Sequence, residues 1–372
     1  MSLNRAAWLT ARRAPLNVRD APYTHPGHDE VVIRNRAVAV NPLDWTIAVA
    51  GHVLYPWITV PFVLGADLAG EVVEVGEGVT RLVVGDRVLA LTEGTDKDSN
   101  SSARGAFQHY SVVLERLTSP VPAAMTYEEA AVVPLAAATA ASALFQRDYL
   151  ALDHPSARPV ASGRVLLVWG GSTSVGIAAI QLAVAAGYEV ITTASPHNVD
   201  LVRRLGASRV FDYASPGAVQ DIIAALRGRT VVGAIALGTG SAERCADVLT
   251  GCEGNRFLAM ASPSVSFEKL AGARWGSLTL PRLLLRLSVS TVALQVRCRA
   301  HGIRPKFIWG TSLKKNEVAK VLFEDFLPSA LAHGRYIPAP EPQVVGAGLE
   351  SIQAGLDAQM AGVSARKVII SL

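Results

Sequence analysis

The most constraining feature of this 372-residue chain lies near its middle. An almost unbroken apolar run, Arg164-Val165-Leu166-Leu167-Val168-Trp169, passes directly into Gly170-Gly171-Ser172-Thr173-Ser174-Val175-Gly176 and then into a helical stretch, Ile177 to Ala186. Such a run reads as a parallel strand covered on both faces. Glycines after it let the main chain approach another group closely, and the helix beyond offers free amides at its N-terminus, where an anion is favoured. Gly187 stands where a helix C-cap favours glycine. The spacing is not GxGxxG, but strand, glycine turn and helix in this order form the phosphate-binding end of a dinucleotide site. Gly170, Gly171, Ser172, Thr173, Ser174, Val175 and Gly176 are therefore the expected cofactor-binding turn.

The same rhythm continues. A strand over Glu189 to Thr193, a helix over Asn198 to Leu205 ended by Gly206, and strands at Arg209 to Phe211, Val231 to Leu237 and Arg256 to Met260 describe the doubly wound parallel sheet of a Rossmann-type α/β half. An NAD site places a carboxylate on the ribose 2′-hydroxyl at the end of the second strand. Here the chain reads Thr192-Thr193-Ala194-Ser195-Pro196-His197-Asn198, with no acid before Asp200. Without that carboxylate a 2′-phosphate meets no repulsion, while Ser195 and Asn198 can donate to it and Arg203, Arg204 or Tyr213 lie nearby in sequence. NADP(H) is the expected cofactor. The same polar residues can also cap the following helix.

Residues 29–91 are strand-like, with Gly65, Gly76, Gly78 and Gly85 at turns. The polar segment Glu93 to Gly105 reads as a mobile loop, and Thr126-Tyr127-Glu128-Glu129 as a capping box opening an alanine-rich helical run that breaks at Pro134. A helix near Asn316 to Leu331 and a strand Lys367 to Ile370 close the chain. Half of the residues are hydrophobic and 18% charged, a composition that excludes disorder, collagen-like repeats and small disulfide scaffolds. Cys245, Cys252 and Cys298 form no CxxC pair, so a reducing, cytoplasmic setting is expected. The net charge of +4 does not by itself imply nucleic acid. The apolar stretch Leu278 to Val296 carries Pro281, Arg282 and Arg286, so no membrane span is expected.

Across these regions run Asn41-Pro42-Leu43-Asp44, Gly65-Ala66-Asp67-Leu68-Ala69-Gly70-Glu71-Val72, Val75-Gly76, Gly85-Asp86-Arg87-Val88, Gly105-Ala106-Phe107, Pro134 with Thr139-Ala140, and the glycine turn. In order and approximate spacing they resemble the medium-chain dehydrogenase/reductase superfamily over nearly the whole chain. The resemblance implies a GroES-like β-rich catalytic domain built from residues 1–134 and a return segment 305–372, with a Rossmann NADP-binding domain inserted at 135–304 and the cofactor in the cleft. Zinc-dependent members carry a cysteine where this chain has Asn41 and a histidine where it has Ala66, and their four-cysteine lobe would fall in Glu93 to Gly105, which has none. No metal site is therefore expected. The chain looks like the zinc-independent quinone and enoyl reductases. Gly170 to Ser174, Ser195 to Asn198, Phe211-Asp212-Tyr213, and Gly362-Val363-Ser364 with Lys367 resemble stand-alone enoyl reductases that serve polyketide synthases in trans. That likeness places Ser195, Asn198 and Tyr213 at the 2′-phosphate and Asn41 and Thr139 near the nicotinamide. Some relatives carry a tyrosine proton donor after the Asn-Pro-x-Asp motif; Tyr55 is in that neighbourhood but out of register. His25, His28, His52 and His109 make no metal spacing.

The expected reaction is hydride addition to a conjugated C=C bond of an enoyl thioester or enone, since the adjacent carbonyl delocalises the developing charge. Quinone reduction is the close alternative, and a nucleotide-binding, catalytically silent paralogue that binds a partner is one of another class. Between Leu270 and Asn316 there is no acid, but Arg274, Arg282, Arg286, Arg297, Arg299, Arg304, Lys306, Lys314 and Lys315 occur. A solvated or interfacial face is the ordinary reading of that stretch. The sharper one is a dock for an acidic acyl carrier protein delivering the substrate. The leucines around these arginines leave burial against the other domain, or against the second subunit of a homodimer, as alternatives.

Overall fold

The computed structural model describes residues 3–262 and 279–372, apart from the side chain of His52. The chain divides into two compact units, one containing the segments up to Leu135 and Leu322–Leu372, the other the segments from Ala136 to Val321. The second crossing falls at Leu322 rather than at residue 305. The reason is the short strand Arg304–Phe307, which adds to the edge of the parallel sheet beside Phe257–Met260 and keeps the chain in the second unit.

In the first unit a seven-stranded, mostly antiparallel sheet is built around the long strand Glu30–Val40, whose β-branched residues Val31, Val32, Ile33, Val38 and Val40 are all buried. It pairs with Asp67–Val75, with Tyr110–Leu114 and with the C-terminal strand Arg366–Ser371. Register matters here. Val368 lies opposite Val40, so Lys367 falls beside Asn41 where the chain leaves the sheet, and Asp67 lies opposite Ala39 on the other flank. Residues 93–105, expected to be mobile, are tied down. Arg104 forms ion pairs with Glu30 and with the buried Glu93, Gly94 and Arg104 are joined through their backbones, and the Trp57 indole donates to Thr95 O at 2.9 Å.

The second unit is a parallel sheet. Numbered in chain order, its main strands Val165–Trp169, Glu189–Thr193, Arg209–Phe211, Thr230–Ala236, Phe257–Met260 and Arg304–Phe307 stand in the order 3-2-1-4-5-6. That order reverses direction between the first and fourth strands, where a doubly wound fold binds its ligand. Helices Ser174–Ala185, Ala218–Leu226 and Ser241–Thr250 pack on it. The helical stretch Tyr127–Phe145 is apolar and long enough to cross a membrane, yet 78% of it is buried inside the protein.

Candidate active site

The glycine turn sits at the reversal point. Gly170 has φ +90°, and a Cβ there would lie 2.7 Å from Leu237 O, at the end of the fourth strand. A Cβ on Gly171 would meet Thr192 Oγ1 at 2.1 Å, and one on Gly176 would meet Gly170 O at 2.3 Å. All three positions thus require glycine, as the sequence indicated. Thr173 caps the helix Ser174–Ala185 by accepting from Gly176 N at 3.1 Å and donating to Gly170 O at 2.8 Å. Among the described residues the amides of Ser172, Ser174 and Val175 have no acceptor, leaving a row of donors at a helix N-terminus. Such a cradle fits a pyrophosphate. At the end of the second strand, Ser195 Oγ and the Tyr213 hydroxyl are 3.0 Å apart at the surface, and the Asn198 amide donates to Ser195 O. Asn198 itself is buried, so Ser195 and Tyr213 are the more accessible of the three.

The first unit holds a buried polar cluster where zinc-dependent relatives would keep metal ligands. Asn41 opens the helix Pro42–Leu54, and its backbone amide donates to Asp44 Oδ2 at 2.8 Å. Its side chain turns the other way. Asn41 Nδ2 donates to Asp67 Oδ2 at 2.9 Å, while Asn41 Oδ1 accepts from Lys367 Nζ. Lys367 Nζ also lies 2.9 Å from Asp67 Oδ2, and Asp67 Oδ1 accepts from Leu135 N at 2.6 Å. Asn41, Asp44, Asp67 and Lys367 are each at most 5% exposed. Burial, together with the Asp67 charge, pushes the Asp44 carboxyl up to about 7 against the opposing pull of the Asn41 amide and Lys367. Among the described residues no three His, Cys, Asp or Glu side chains gather as a metal site. In the sequence Lys367 stands out only through the likeness to enoyl reductases. The signal that it enters this cluster is a single lysine at the head of the buried run Val368-Ile369-Ile370.

Thr139 is buried on the helix Pro134–Phe145 in the second unit, and Gly310 approaches it so closely that a Cβ there would lie 2.4 Å from Thr139 Oγ1. Tyr55 ends the helix Pro42–Leu54 and packs edge-on against Trp57. Burial and the charges of Asp96 and Asp44 push its hydroxyl up to about 12, which makes it a weak proton donor. His25 pairs with Glu74 and His28 with Asp29, both at the surface. Of the basic stretch, Arg274 and its neighbours up to residue 278 lie outside the described residues. Arg282 and Arg286 are exposed on the helix Thr279–Ala300, whereas Arg297 pairs with Asp247 and Lys306 with Asp148. Two of the predicted docking charges are thus neutralised within the protein. The helix buries Leu294 and Cys298 and exposes Leu285, Val289, Val292 and Val296.

Residues 27–123 match the alcohol dehydrogenase GroES-like domain, and residues 174–250 match the zinc-binding dehydrogenase family. A dehydrogenase, pigH, of Monascus ruber is 49% identical over the full length of both chains. A trans-enoyl reductase, himH, of Aspergillus japonicus is 35% identical over all of this chain and 98% of its own. The native structure of a mycobacterial protein complexed with NADPH superposes over the full length of both chains with a TM-score of 0.68 at 23% identity. The glycine cradle at the reversal point of a parallel sheet, in a chain with a GroES-like unit, defines a nicotinamide-dependent oxidoreductase. The chain belongs to the medium-chain dehydrogenase/reductase superfamily, in its zinc-independent branch.

The raised Asp44 carboxyl has a consequence for stability. The folded protein holds this proton to about pH 7, while the unfolded chain releases it near pH 4, so the favourable contribution is complete below about pH 4 and is lost as pH rises to about 7. At about 1.4 kcal/mol per unit the upper bound is about 4 kcal/mol. Asp44→Asn, which keeps an acceptor for the Asn41 amide, is expected to flatten this part of the profile. Melting temperatures of both proteins between pH 4 and pH 8 should converge at the acid end and separate towards neutrality in favour of the variant. Parallel curves would contradict the assignment.

Proposed function

We propose that the protein is an NADPH-dependent reductase of a conjugated carbon–carbon double bond, carried as an enoyl thioester or enone, and that it acts in trans on a polyketide intermediate in the cytoplasm. The carrying observation is the cluster at the zinc-ligand position: Asn41 stands there with its amide held between Asp67 and Lys367, offering a hydrogen-bond donor in place of soft metal ligands. A conjugated carbonyl suits that environment, because its charge in the transition state is delocalised and hydrogen bonds are sufficient to stabilise it. The relative named a trans-enoyl reductase, aligned over the full length of this chain, supports the same class. A reducing compartment agrees with three buried, unpaired cysteines.

A bound nicotinamide supplies the hydride, which adds to the carbon β to the carbonyl. The chain's own residues divide the remaining work. Gly170, Gly171, Gly176 and the amides of Ser172, Ser174 and Val175 receive the pyrophosphate, and Ser195, Asn198 and Tyr213 receive the adenosine 2′-phosphate. Asn41 and Thr139 serve the nicotinamide end. Tyr55, with its raised pKa, is a poor proton donor, so the proton that completes the reduction at the carbon α to the carbonyl would come from water. Arg282 and Arg286, exposed and free of acids along their helix, would meet an acidic acyl carrier.

Turnover decides the class. NADPH absorbance should fall with a short enoyl thioester and persist with a simple quinone; the reverse would assign a quinone reductase, and tight NADPH binding with neither acceptor consumed would assign a silent binding protein. Cofactor choice follows from the 2′-phosphate site. Two charge-assisted hydrogen bonds at about 1.5–3 kcal/mol each set an upper bound of about 10²–10⁴ in favour of NADPH over NADH. Titration should show that preference, and Ser195→Asp should erode it; equal NADH affinity in the unaltered protein removes the assignment. Reversing the charges of Arg282 and Arg286 together should raise KM for a carrier-bound substrate, more at low than at high salt, and spare a soluble thioester. An equal change for both substrates would dismiss the dock.

A further inference from the structure

The buried cluster holds more hydrogen-bond donors than it has partners for them. The Asn41 side chain has two N–H groups and a carbonyl oxygen, and Lys367 has three N–H groups. One Asn41 N–H is taken by Asp67 and the carbonyl by Lys367. Lys367 gives a second hydrogen towards Asp67. Among the described residues the other Nδ2 hydrogen of Asn41 has no acceptor, although the residue is only 5% exposed. Among the described residues the third hydrogen of Lys367 and Asp44 Oδ1 also lack a partner, and buried polar groups left over in this way are costly unless a ligand uses them.

The amide that carries this donor is not an ordinary one. A cation on Oδ1 draws electron density from nitrogen to oxygen, increasing the positive character of the Nδ2 hydrogens, and the low local dielectric strengthens the effect. The two neighbours also fix which way the amide faces. An ammonium cannot accept from Nδ2 and a carboxylate cannot donate to Oδ1, so the flipped amide would lose both bonds. Register supplies the placement: Lys367 is held beside Asn41 by the pairing of Val368 with Val40, and Asp67 by the neighbouring strand.

We propose that Lys367 is a positioning residue acting through Asn41: with Asp67 it fixes the orientation of the Asn41 amide and polarises it, making the Nδ2 hydrogen not given to Asp67 a strengthened donor for the substrate carbonyl oxygen as negative charge develops there. This rests on the reading that a conjugated carbonyl is the substrate. Lys367 acts through its bond to Asn41 Oδ1, strengthening a neutral donor on the same amide.

Lys367→Gln keeps a donor for Asn41 Oδ1 and removes the charge. With a crotonyl thioester and NADPH it should lower kcat about 10- to 100-fold, leave KM and the NADPH dissociation constant within about twofold, and be largely rescued in Lys367→Arg. A readout independent of turnover is the side-chain amide proton signal of Asn41 in protein labelled with ¹⁵N-asparagine, identified by its loss in Asn41→Leu. It should move upfield in Lys367→Gln and return in Lys367→Arg. If Lys367→Gln does not fold, the pair Asp67→Asn with Lys367→Gln removes both buried charges together, and the same loss of kcat and the same shift are expected. Unchanged kcat, or an unmoved amide signal, in the folded variant overturns the proposal. Failure of the substrate reading looks different: the unaltered protein would then consume a quinone and spare the thioester. In that case the same comparison is made on the quinone, whose carbonyl oxygen gains the same charge.

Discussion

The carboxylate of Asp67 organises the first unit. It is fully buried and receives the Asn41 side chain, the Lys367 ammonium and the backbone amide of Leu135, from segments 26, 300 and 68 residues away in sequence. A lone carboxylate in that position would be strongly unfavourable, and each partner removed leaves it less compensated. The three partners are therefore mutually dependent. The start of the helix Pro42–Leu54, the last strand and the start of the helix Pro134–Phe145 are tied to one side chain on the strand Asp67–Val75. The negative charge of Asp67 also helps to keep Asp44 protonated towards neutral pH, so acid–base behaviour and architecture share one origin.

In the second unit the constraint is steric. Gly170, Gly171 and Gly176 are dictated by backbone and side-chain atoms within 3 Å of where a Cβ would stand. The closeness that excludes a side chain is what brings the strand end and the helix N-terminus together, and the unsatisfied amides follow from helix geometry. Packing thus demands the glycines even before a phosphate is considered, and the anion site arises from the same turn.

This division explains what the sequence revealed. Glycine requirements are local, so the turn, the two strands beside it and the helix over Ser174–Ala185 could be read directly, as could the capping box at Thr126. The absence of an acid between Thr193 and Asp200 was equally plain. Contacts between distant segments were not. Lys367 looked like one lysine at the head of an apolar strand, and nothing local says that its partner is Asn41, 326 residues earlier. The polar composition of Glu93 to Gly105 suggested mobility because its restraints, the Arg104 ion pairs with Glu30 and Glu93, depend on tertiary placement. Arg304–Phe307 is short, carries two basic residues and gives little strand signal, so its place at the edge of the parallel sheet is not legible locally.

The first unit is discontinuous, and its central sheet takes in the strand Arg366–Ser371 between Glu30–Val40 and Glu341–Ala347. During synthesis the residues of that strand leave the ribosome after the whole second unit, which can condense on its own contacts first. Until then Asp67 lacks its cation and the first unit lacks an interior strand. Its N-terminal portion must wait with apolar edges exposed, so the stretch between translation of Val40 and arrival of Val368 is the interval in which this protein most depends on protection from aggregation.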